Sequence, residues 1–575
     1  MIGSPQERLA ELDNMYPEWP GYTQWTMFLK NSRLYSTREF YNVDGDSVTY
    51  QQAHELIDKL AAGLYAIGIR PTDHVSVCLD NGPELIQLIY ALAKLGAVRV
   101  SVHFKAGLVE TIHILKTSDS NFFIIGKSYD LEEIHNNVPT VKKVIALQNI
   151  MPVALQNNYL MGWQDVIKAG KTISEEDINF INTIPQDSKG LSDIMFTSGS
   201  TSDPKGVMIT HDMVLRSAWG TCRTRYIESG RRMYVPIPLY HMFAYVEGLT
   251  CMLLTGGTVI MTREHFNVYR SLQLMRDYHV NDIICVSVIM IELLTKGKPK
   301  PEDFPYLHAA YWAAACPKWV WEAGRKAFGI NDVITSYGMT ECGSTTVMSR
   351  PDDPADTVEK CFGRVKNAGV AGNPEWDGQL LKVKICPIEI GKEVKAGETG
   401  EILVKGVTVT PGYYNNPSKN IHAFDEDGWF RTGDLGILDK EGFLNFVGRV
   451  NDMYKINGEN VSPQFLDCIL GRCQGIKGIQ CVGIPDKKYG EVGAAFIDTD
   501  LDHDEMVKTF LDYAKKNISS FQIPNYLIFS SMDSWPLTNS GKISKRLLRD
   551  RASDIVNGFD SSEEFVAVKD VEKAV

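Results

Sequence analysis

The chain has 575 residues, a formal net charge of −12 and a hydrophobic content of 44%. This length exceeds what one hydrophobic core supports, so several domains or subdomains are expected. The ordinary composition excludes extended disorder, and the acidic balance argues against nucleic acid as the main partner.

The sequence contains no segment typical of a signal peptide or a membrane span. Its start, MIGSPQERLAELDNMYPEWP, carries acids without an apolar core, and its end, VEKAV, is not a peroxisomal address. The longest apolar run, near residues 283–291, is about half of the ~20 residues that a membrane helix needs, and predicts a buried strand and a helix start. The 11 scattered cysteines fit reduced thiols, so we expect a cytoplasmic protein.

Strands alternate with helices in the first part of the chain. Hydrophobic periodicity predicts a helix from about residue 48, a strand over 74–79, a helix over 83–96, a strand over 98–102, a helix over 108–117 and a strand over 121–125. This order is typical of a parallel sheet covered by helices. The polar stretch over 150–189 predicts an irregular connection to a second α/β unit that ends near residue 345.

The last third of the chain has a different pattern. Short alternating segments separated by glycines over 375–455 predict a small antiparallel sheet or barrel. From about residue 452 the pattern predicts a compact α+β unit with strands over 480–484 and 494–497. The acid-rich tail from Ser553 onward is expected to be frayed.

A polar loop lies between the apolar runs Ile194–Phe196 and Val207–Ile209. Its hydroxyls, backbone N–H groups and single lysine could converge on a polyanion such as a nucleoside triphosphate, although many such loops are surface turns. Its members are Thr197, Ser198, Gly199, Ser200, Thr201, Ser202, Asp203, Pro204, Lys205 and Gly206.

This loop is not a Walker A loop. Pro204 precedes Lys205, and Gly206 follows it where a Ser or Thr should bind magnesium. The anchored flanks and the Pro-Lys-Gly ending instead resemble the phosphate loop of the acyl-adenylate-forming enzymes, which include acyl-CoA synthetases, adenylation domains and firefly-type luciferases. Ser202 departs from the glycine that is usual in that family.

A second motif, Ser336-Tyr337-Gly338-Met339-Thr340-Glu341, combines an aromatic face with a hydroxyl and a carboxylate. It resembles the Tyr-Gly-x-Thr-Glu motif of the same family. The resemblance implies that Tyr337 and Gly338 lie on adenine, that Thr340 contacts the α-phosphate and that Glu341 binds Mg²⁺. Ala315-Cys316-Pro317 would also border the adenine, where relatives often have a glycine-rich turn.

Three further features match the family in order along the chain. The resemblance implies that Asp434 and Arg449 bind the ribose, and that Asn451, where relatives carry Asp or Lys, is a hinge. It also implies that Lys542 is catalytic and bonds the carboxylate and the bridging oxygen as charge shifts, which is the usual electrostatic route to rate. Gly412-Tyr413-Tyr414-Asn415 is a supporting match without an assigned role.

The acyl pocket can be placed only by resemblance to the family. It is expected among His241, Phe243, Ala244, Val288, Ala313, Ala314 and Met339. Amino-acid-activating domains carry an aspartate after the motif that holds His241, whereas here the first acid is Glu247, which disfavours an α-amino acid. Small alanines in this wall fit either a slim chain or a flat acid.

The resemblance implies an α/β protein with a large N-terminal domain over residues 1–450 and a smaller mobile α+β C-terminal domain over 451–575. The large domain should contain two α/β subdomains and a small antiparallel β-barrel-like subdomain. The implied function is ATP- and Mg²⁺-dependent conversion of a carboxylic acid to acyl-AMP, followed by transfer to coenzyme A. Alternatives are loading of a carrier protein, a luciferase-like monooxygenase, or a non-catalytic nucleotide-binding relative.

Overall fold

Amphipathic helices and apolar strands alternate along most of this chain, as its hydrophobic periodicity requires. The computed structural model describes residues 3–147, 159–197, 204–263, 266–313, 318–358, 362–387, 394, 397–456, 459–486, 489–537, 543–560 and 563–568. Within these ranges, no helix combines the length and apolar content that crossing a bilayer requires.

The strands are numbered in chain order. They are β1 Glu39–Val43, β2 Asp46–Thr49, β3 His74–Cys78, β4 Val98–Ser101, β5 Phe122–Ile125, β6 Lys143–Ala146, β7 Leu160–Gly162, β8 Leu191–Thr197, β9 Lys205–Thr210, β10 Arg232–Tyr234, β11 Thr258–Met261, β12 Asp282–Val286, β13 Ala309–Ala313, β14 Asp332–Ile334, β15 Ser336–Tyr337, β16 Val347–Met348, β17 Arg364–Val365, β18 Leu381–Cys386, β19 Gly400–Gly406, β20 Phe430–Leu438, β21 Leu444–Arg449, β22 Tyr454–Ile456, β23 Glu459–Val461, β24 Ile476–Asp486, β25 Gly490–Thr499, β26 Tyr526–Phe529 and β27 Glu564–Ala567.

The α-helices are numbered in the same way. They are α1 Pro5–Met15, α2 Gln24–Leu34, α3 Tyr50–Ala66, α4 Pro83–Leu95, α5 Leu108–Thr117, α6 Leu131–Asn137, α7 Trp163–Ala169, α8 Glu175–Thr183, α9 His211–Thr224, α10 Cys251–Thr255, α11 Val268–Asp277, α12 Ser287–Glu292, α13 Lys318–Phe328, α14 Ala355–Val358, α15 Pro417–Ala423, α16 Pro463–Leu470, α17 His503–Asn517 and α18 Lys545–Val556. A π-helical stretch, Phe243–Thr250, runs directly into α10.

The chain divides into two compact units. The first comprises Met1–Ala314, Ala323–Val383 and Val404–Phe430, and the second comprises Ala315–Glu322, Lys384–Leu403 and Arg431–Val575. The domain boundary between residues 450 and 451, and the hinge at Asn451, stay predictions.

Two seven-stranded sheets form the body of the first unit. One has the order β7-β6-β5-β3-β4-β8-β9 and the other β14-β13-β12-β10-β11-β1-β2. Most neighbouring strands in both are parallel, while β8–β9 and β1–β2 are antiparallel. The expected α/β fold with parallel sheets is therefore confirmed. Because parallel strands gather their carboxyl ends at one edge, this topology brings the loops after β4 and β8 together.

Separate sheets complete the fold. A three-stranded sheet has the order β15-β16-β17, and a four-stranded sheet has the order β18-β19-β20-β21, with β20 and β21 antiparallel. In the second unit the order is β23-β22-β25-β26-β27, with β24 paired to β25. Side chains of α16 and α17 pack in one core cluster and those of α18 in another.

Two expectations about irregular segments are wrong. The region expected to be irregular contains α7, α8 and β7. Helix α8 begins at a capping box in which Ser174 and Asp177 bond each other's backbone N–H groups. The tail forms β27, which pairs with β26 in antiparallel register and so provides hydrogen-bond partners for the outer side of β26.

Candidate active site

The predicted phosphate loop connects two antiparallel strands at one edge of the first sheet. Thr197 ends β8 and lies opposite Lys205, which begins β9. Ile194 and Val207 in these strands are fully buried, so both ends of the loop are fixed by the core. Ser198, Gly199, Ser200, Thr201 and Ser202 lie outside the described residues.

Lys205 presents its ammonium group to an aromatic ring. Its Nζ lies 5.4 Å from the centroid of the Tyr413 ring, within the range of a cation–π contact. Burial and the nearby charge of Lys419 lower the pKa of Lys205, whereas Glu341 acts in the opposite direction. The same environment favours an anion beside this ammonium group, since an added negative charge would stabilise its charged form.

The second motif forms a short strand and a turn. Tyr337 lies in β15 with 7% of its surface exposed, and the 3₁₀ helix Thr340–Cys342 follows. Glu341 is also buried, and its Oε1 accepts a hydrogen bond of 3.0 Å from the hydroxyl of Tyr413. The backbone N–H of Thr410 donates to the Glu341 carbonyl at 2.7 Å, so both the main chain and the carboxylate are held.

The segment over residues 410–414 joins this turn to the phosphate-loop hairpin. The Met208 N–H donates to the Gly412 carbonyl at 3.0 Å, and the Tyr414 N–H donates to the Gly206 carbonyl at 2.8 Å. Tyr413 lies between these bonds and contacts both Lys205 and Glu341. The sequence gives this segment no role, because its contacts join residues far apart in the chain.

His113 is a second contact that sequence analysis did not foresee. It lies in α5, and its Nε2 is 3.1 Å from the Pro204 carbonyl oxygen. Its position in an amphipathic helix is typical of a surface or packing residue and gives no sign of the loop opposite. This contact adds a third anchor, after β8 and β9, at the exit of the phosphate loop.

The predicted acyl-pocket residues differ in exposure. His241 and Phe243 are half-buried, Ala244 is fully buried and Val288 is 37% exposed. The Phe243 ring packs edge-on against Tyr311 at 4.9 Å between centroids. Met339 is half-buried and precedes the Thr340 turn, and Ala313 ends β13. The Ala313 side chain and Ala314, Ala315, Cys316 and Pro317 lie outside the part that the structure describes.

A cluster of three rings lies beside the predicted acyl pocket. His103 follows β4, and its ring centroid is 4.8 Å from Tyr240 and 5.4 Å from His241. Tyr240 and His241 are themselves 4.8 Å apart. His241 was expected from its motif, whereas His103 was not predicted. Its signal was available, because a polar residue that follows the carboxyl end of a parallel strand is a candidate site residue.

The second unit carries the predicted ribose ligands. Asp434 in β20 lies opposite Arg449 in β21, and their Oδ1 and Nε atoms are 3.4 Å apart. Asp434 is buried, whereas the Arg449 side chain is 54% exposed. Asn451 is exposed in the 3₁₀ helix Val450–Asp452. Lys542 lies outside the described residues, so its role stays a prediction.

Two family models match the sequence. Residues 28–414 match the family described as AMP-binding enzyme. Residues 466–542 match the one described as AMP-binding enzyme C-terminal domain. The first matched range contains the phosphate-loop hairpin and the turn that carries Glu341. The second ends at Lys542.

Curated relatives are similar over most of the chain. A putative acyl-CoA synthetase, YngI, from Bacillus subtilis is 29% identical over 528 residues, covering 88% of this chain and 93% of that protein. A 3-[(3aS,4S,7aS)-7a-methyl-1,5-dioxo-octahydro-1H-inden-4-yl]propanoyl:CoA ligase from Rhodococcus jostii is 28% identical and covers 88% and 94%. The human mitochondrial medium-chain acyl-CoA ligase ACSF2 is 25% identical and covers 89% and 84%.

Solved structures share the fold. The o-succinylbenzoate coenzyme A synthetase MenE from Bacillus subtilis, in complex with AMP, has a TM-score of 0.73 and 25% identity, covering 92% of this chain and 99% of that one. The anthranilate CoA ligase AuaEII, in complex with anthranoyl-AMP, has a TM-score of 0.80 and 20% identity, covering 94% and 99%.

Proposed function

The chain belongs to the family of AMP-binding enzymes, and from that membership we propose that it is an AMP-forming acid–thiol ligase. It activates a carboxylic acid with ATP and transfers the acyl group to coenzyme A. The observation that carries this proposal is the arrangement of Glu341 and Lys205 around Tyr413, beside the phosphate-loop hairpin. One carboxylate and one ammonium group held this close suit a metal–triphosphate complex.

The donor set at Glu341 fits Mg²⁺. Within the described ranges, no group of three or more His, Cys, Asp or Glu side chains is arranged to hold a metal ion. Mg²⁺ does not need such a group, because it is usually bound by one or two carboxylates together with substrate phosphates and waters. When bound, Mg²⁺ would neutralise phosphate charge, and Glu341 with its Tyr413 hydrogen bond would hold it in place.

In the first half-reaction, a carboxylate oxygen of the acid attacks the α-phosphorus of ATP. The bond from that phosphorus to the bridging oxygen breaks, pyrophosphate leaves and the mixed anhydride acyl-AMP forms. Thr340 orients the α-phosphate, and Lys205 with the hydroxyls of the loop binds the departing phosphates. Lys542 supplies a positive charge where negative charge develops.

In the second half-reaction, the thiol of coenzyme A attacks the carbonyl carbon of acyl-AMP. The thiol loses its proton, the bond from carbon to the AMP oxygen breaks, and AMP leaves. We propose that Asp434 and Arg449 hold the ribose through both steps. We also propose that the C-terminal domain rotates about Asn451 between the steps, so that Lys542 withdraws before the thiol enters.

Glu247 narrows the class of acid. It is fully buried and already accepts hydrogen bonds from Thr221 and Thr345. It is therefore not available to pair with the α-amine of an amino acid, and we propose a substrate without that group. Relatives are named as ligases for medium-chain acyl groups and for a bicyclic propanoyl group, and a structural neighbour as a synthetase for o-succinylbenzoate. Medium-chain, bicyclic and aryl acids are therefore the first to test.

The test is a panel of these acids with ATP, Mg²⁺ and coenzyme A. We expect pyrophosphate release that depends on one class of acid, with the matching acyl-CoA and AMP as products. Acid-dependent pyrophosphate release without acyl-CoA, but with acylation of a phosphopantetheine carrier protein, would favour the carrier-loading alternative. Nucleotide binding without pyrophosphate release from any acid would favour a non-catalytic relative. A cytoplasmic location is a proposal from the sequence.

A further inference from the structure

A buried carboxylate, that of Glu247, is hydrogen-bonded to Thr345, whose backbone contacts the predicted nucleotide motif of Tyr337 and Gly338. Glu247 belongs to the π-helical stretch Phe243–Thr250 and has 0% exposure. Its Oε2 accepts a hydrogen bond of 2.5 Å from Thr221, and its Oε1 accepts one of 2.8 Å from Thr345. We propose that Glu247 is a positioning residue, which fixes through Thr345 the backbone that carries Tyr337 and Gly338.

The charge of Glu247 is balanced by a buried lysine. The Lys366 Nζ is 3.7 Å from Glu247 Oε1, and both side chains are almost fully inaccessible. Lys366 also donates to the Ser217 carbonyl at 3.0 Å, the Ser217 hydroxyl at 2.8 Å and the Thr221 hydroxyl at 3.1 Å. Buried ions are expensive unless they are paired and hydrogen-bonded, so this network specifies one position for the carboxylate.

The position of Thr345 is transmitted directly to the nucleotide motif. Tyr337 pairs with Val347, and the Thr346 N–H donates to the Tyr337 carbonyl at 2.9 Å. A Cβ on Gly338 would lie 2.1 Å from the Ser344 carbonyl oxygen and 2.5 Å from the Thr345 Cα. The two backbones are therefore in direct contact, and a displaced Thr345 must move Gly338 and the ring of Tyr337.

The same helical stretch also reaches the start of the motif. Phe243 packs edge-on against Tyr311, whose hydroxyl pairs with the Ser336 hydroxyl. Because Phe243 belongs to the predicted acyl wall, one rigid element supports both that wall and the strand that carries Tyr337. The loss of the Thr345 bond removes the support on the nucleotide side and leaves the contact of Phe243 in place.

Two matched substitutions separate positioning from general stability. Thr345→Val and Thr221→Val each remove one hydroxyl that donates to Glu247, and both residues are at most 4% exposed. Thr221 also accepts a bond from Lys366, so its loss should destabilise the fold at least as much. The measurements are AMP affinity by calorimetry, the midpoint of urea unfolding and, with an accepted acid, the KM for ATP and for the acid.

We expect Thr345→Val to weaken AMP binding and raise the KM for ATP about tenfold, the effect of one hydrogen bond to a charged acceptor. The KM for the acid should change less than about twofold, because the contact of Phe243 stays in place and a twofold change is well below the effect of losing one hydrogen bond. Thr221→Val should change AMP affinity less than about twofold. It should lower the midpoint of urea unfolding at least as much as Thr345→Val does. Thr345→Ser, which keeps the hydroxyl, should restore AMP affinity.

Equal changes in AMP affinity for the two valine variants, or no change for Thr345→Val, would overturn the positioning role. The inference rests on the proposed function only in taking ATP as the nucleotide. Calorimetry with AMP needs no acid, so it tests Glu247 even if the acid panel gives no pyrophosphate. A wild-type protein that does not bind AMP would overturn both.

Discussion

Tyr413→Phe should separate the role of the phenol hydroxyl from that of its ring. The substitution removes the hydroxyl that donates to Glu341 at 3.0 Å and keeps the ring that lies 5.4 Å from the Lys205 ammonium. Tyr413 and Glu341 are both more than nine-tenths buried, so water cannot easily replace the lost donor. The carboxylate then loses one constraint on its orientation, and with it on the Mg²⁺ that we propose it binds.

The expected size follows from the charge of the acceptor. A hydrogen bond to a charged group contributes about 1.5–3 kcal/mol, and about 1.4 kcal/mol corresponds to tenfold in an equilibrium constant. Glu341 keeps other interactions, among them the Thr410 bond to its carbonyl, so we expect a value near the low end. This corresponds to about 2 kcal/mol, or roughly thirtyfold in kcat/KM for adenylate formation.

The assay is acid-dependent pyrophosphate release, measured as a function of free Mg²⁺. Tyr414→Phe is the matched control, because its hydroxyl bonds Asp119 at 3.2 Å at an exposed position. We expect Tyr413→Phe to need more Mg²⁺ for half-maximal rate and Tyr414→Phe to behave like the wild type. An unchanged Mg²⁺ requirement in Tyr413→Phe, with the fold intact, would refute the role given to this hydrogen bond.

Three further substitutions test other parts of the account. Gly338→Ala, whose Cβ would meet the Ser344 carbonyl at 2.1 Å, should cost about 1–3 kcal/mol in urea unfolding and raise the KM for ATP. Burial lowers the pKa of His211 from 6.5 to about 4. Between these two pH values the unfolded chain binds a proton that the folded chain does not, so the free energy of unfolding falls as pH drops from 6.5 toward 4. The fall in the free energy of unfolding is at most about 3 kcal/mol. Urea unfolding of His211→Gln between pH 6.5 and 4 should show a smaller fall than that of the wild type. Lys542→Ala should slow acyl-AMP formation by about two to three orders of magnitude and thioester formation from supplied acyl-AMP far less, whereas equal losses would contradict its role.

Local sequence signals predicted the elements whose ends and faces are marked in the chain. Helix α4 begins with Pro83 in its first turn and ends at Leu95, where it is capped by Gly96, whose φ of 64° suits a glycine. Its expected range over residues 83–96 is confirmed to within one residue, and that of α5 is confirmed at both ends. The expected strand and helix start near residues 283–291 are confirmed as β12 and α12.

Weak or overlooked signals account for the missed elements. Helix α8 has only one buried side chain, Ile181, so its apolar stripe is narrow. Its start was nevertheless marked by the Ser174–Asp177 capping box, a signal that a composition-based interpretation passes over. Strand β27 has only four residues, and its pairing with β26 depends on a partner that periodicity in the tail cannot reveal.

The site shows the same division. Short motifs predicted Thr197, Lys205 and Glu341, because their residue types are tied to phosphate and metal chemistry. No local pattern could connect Glu341 with Tyr413, or Glu247 with Lys366, because tertiary packing alone brings these pairs together. Sequence therefore points to the groups of the proposed nucleotide site more readily than to the groups that hold them.

The most direct test of the account follows the oxygens of the acid. A carboxylic acid labelled with oxygen-18 at both carboxylate oxygens is incubated with the protein, ATP, Mg²⁺ and coenzyme A, and the masses of the products are measured by mass spectrometry. Because the carboxylate attacks the α-phosphorus and the thiol then breaks the carbon–oxygen bond, AMP should carry one labelled oxygen and the thioester the other. Unlabelled AMP, or release of ADP and phosphate instead of AMP and pyrophosphate, would contradict an acyl-adenylate intermediate.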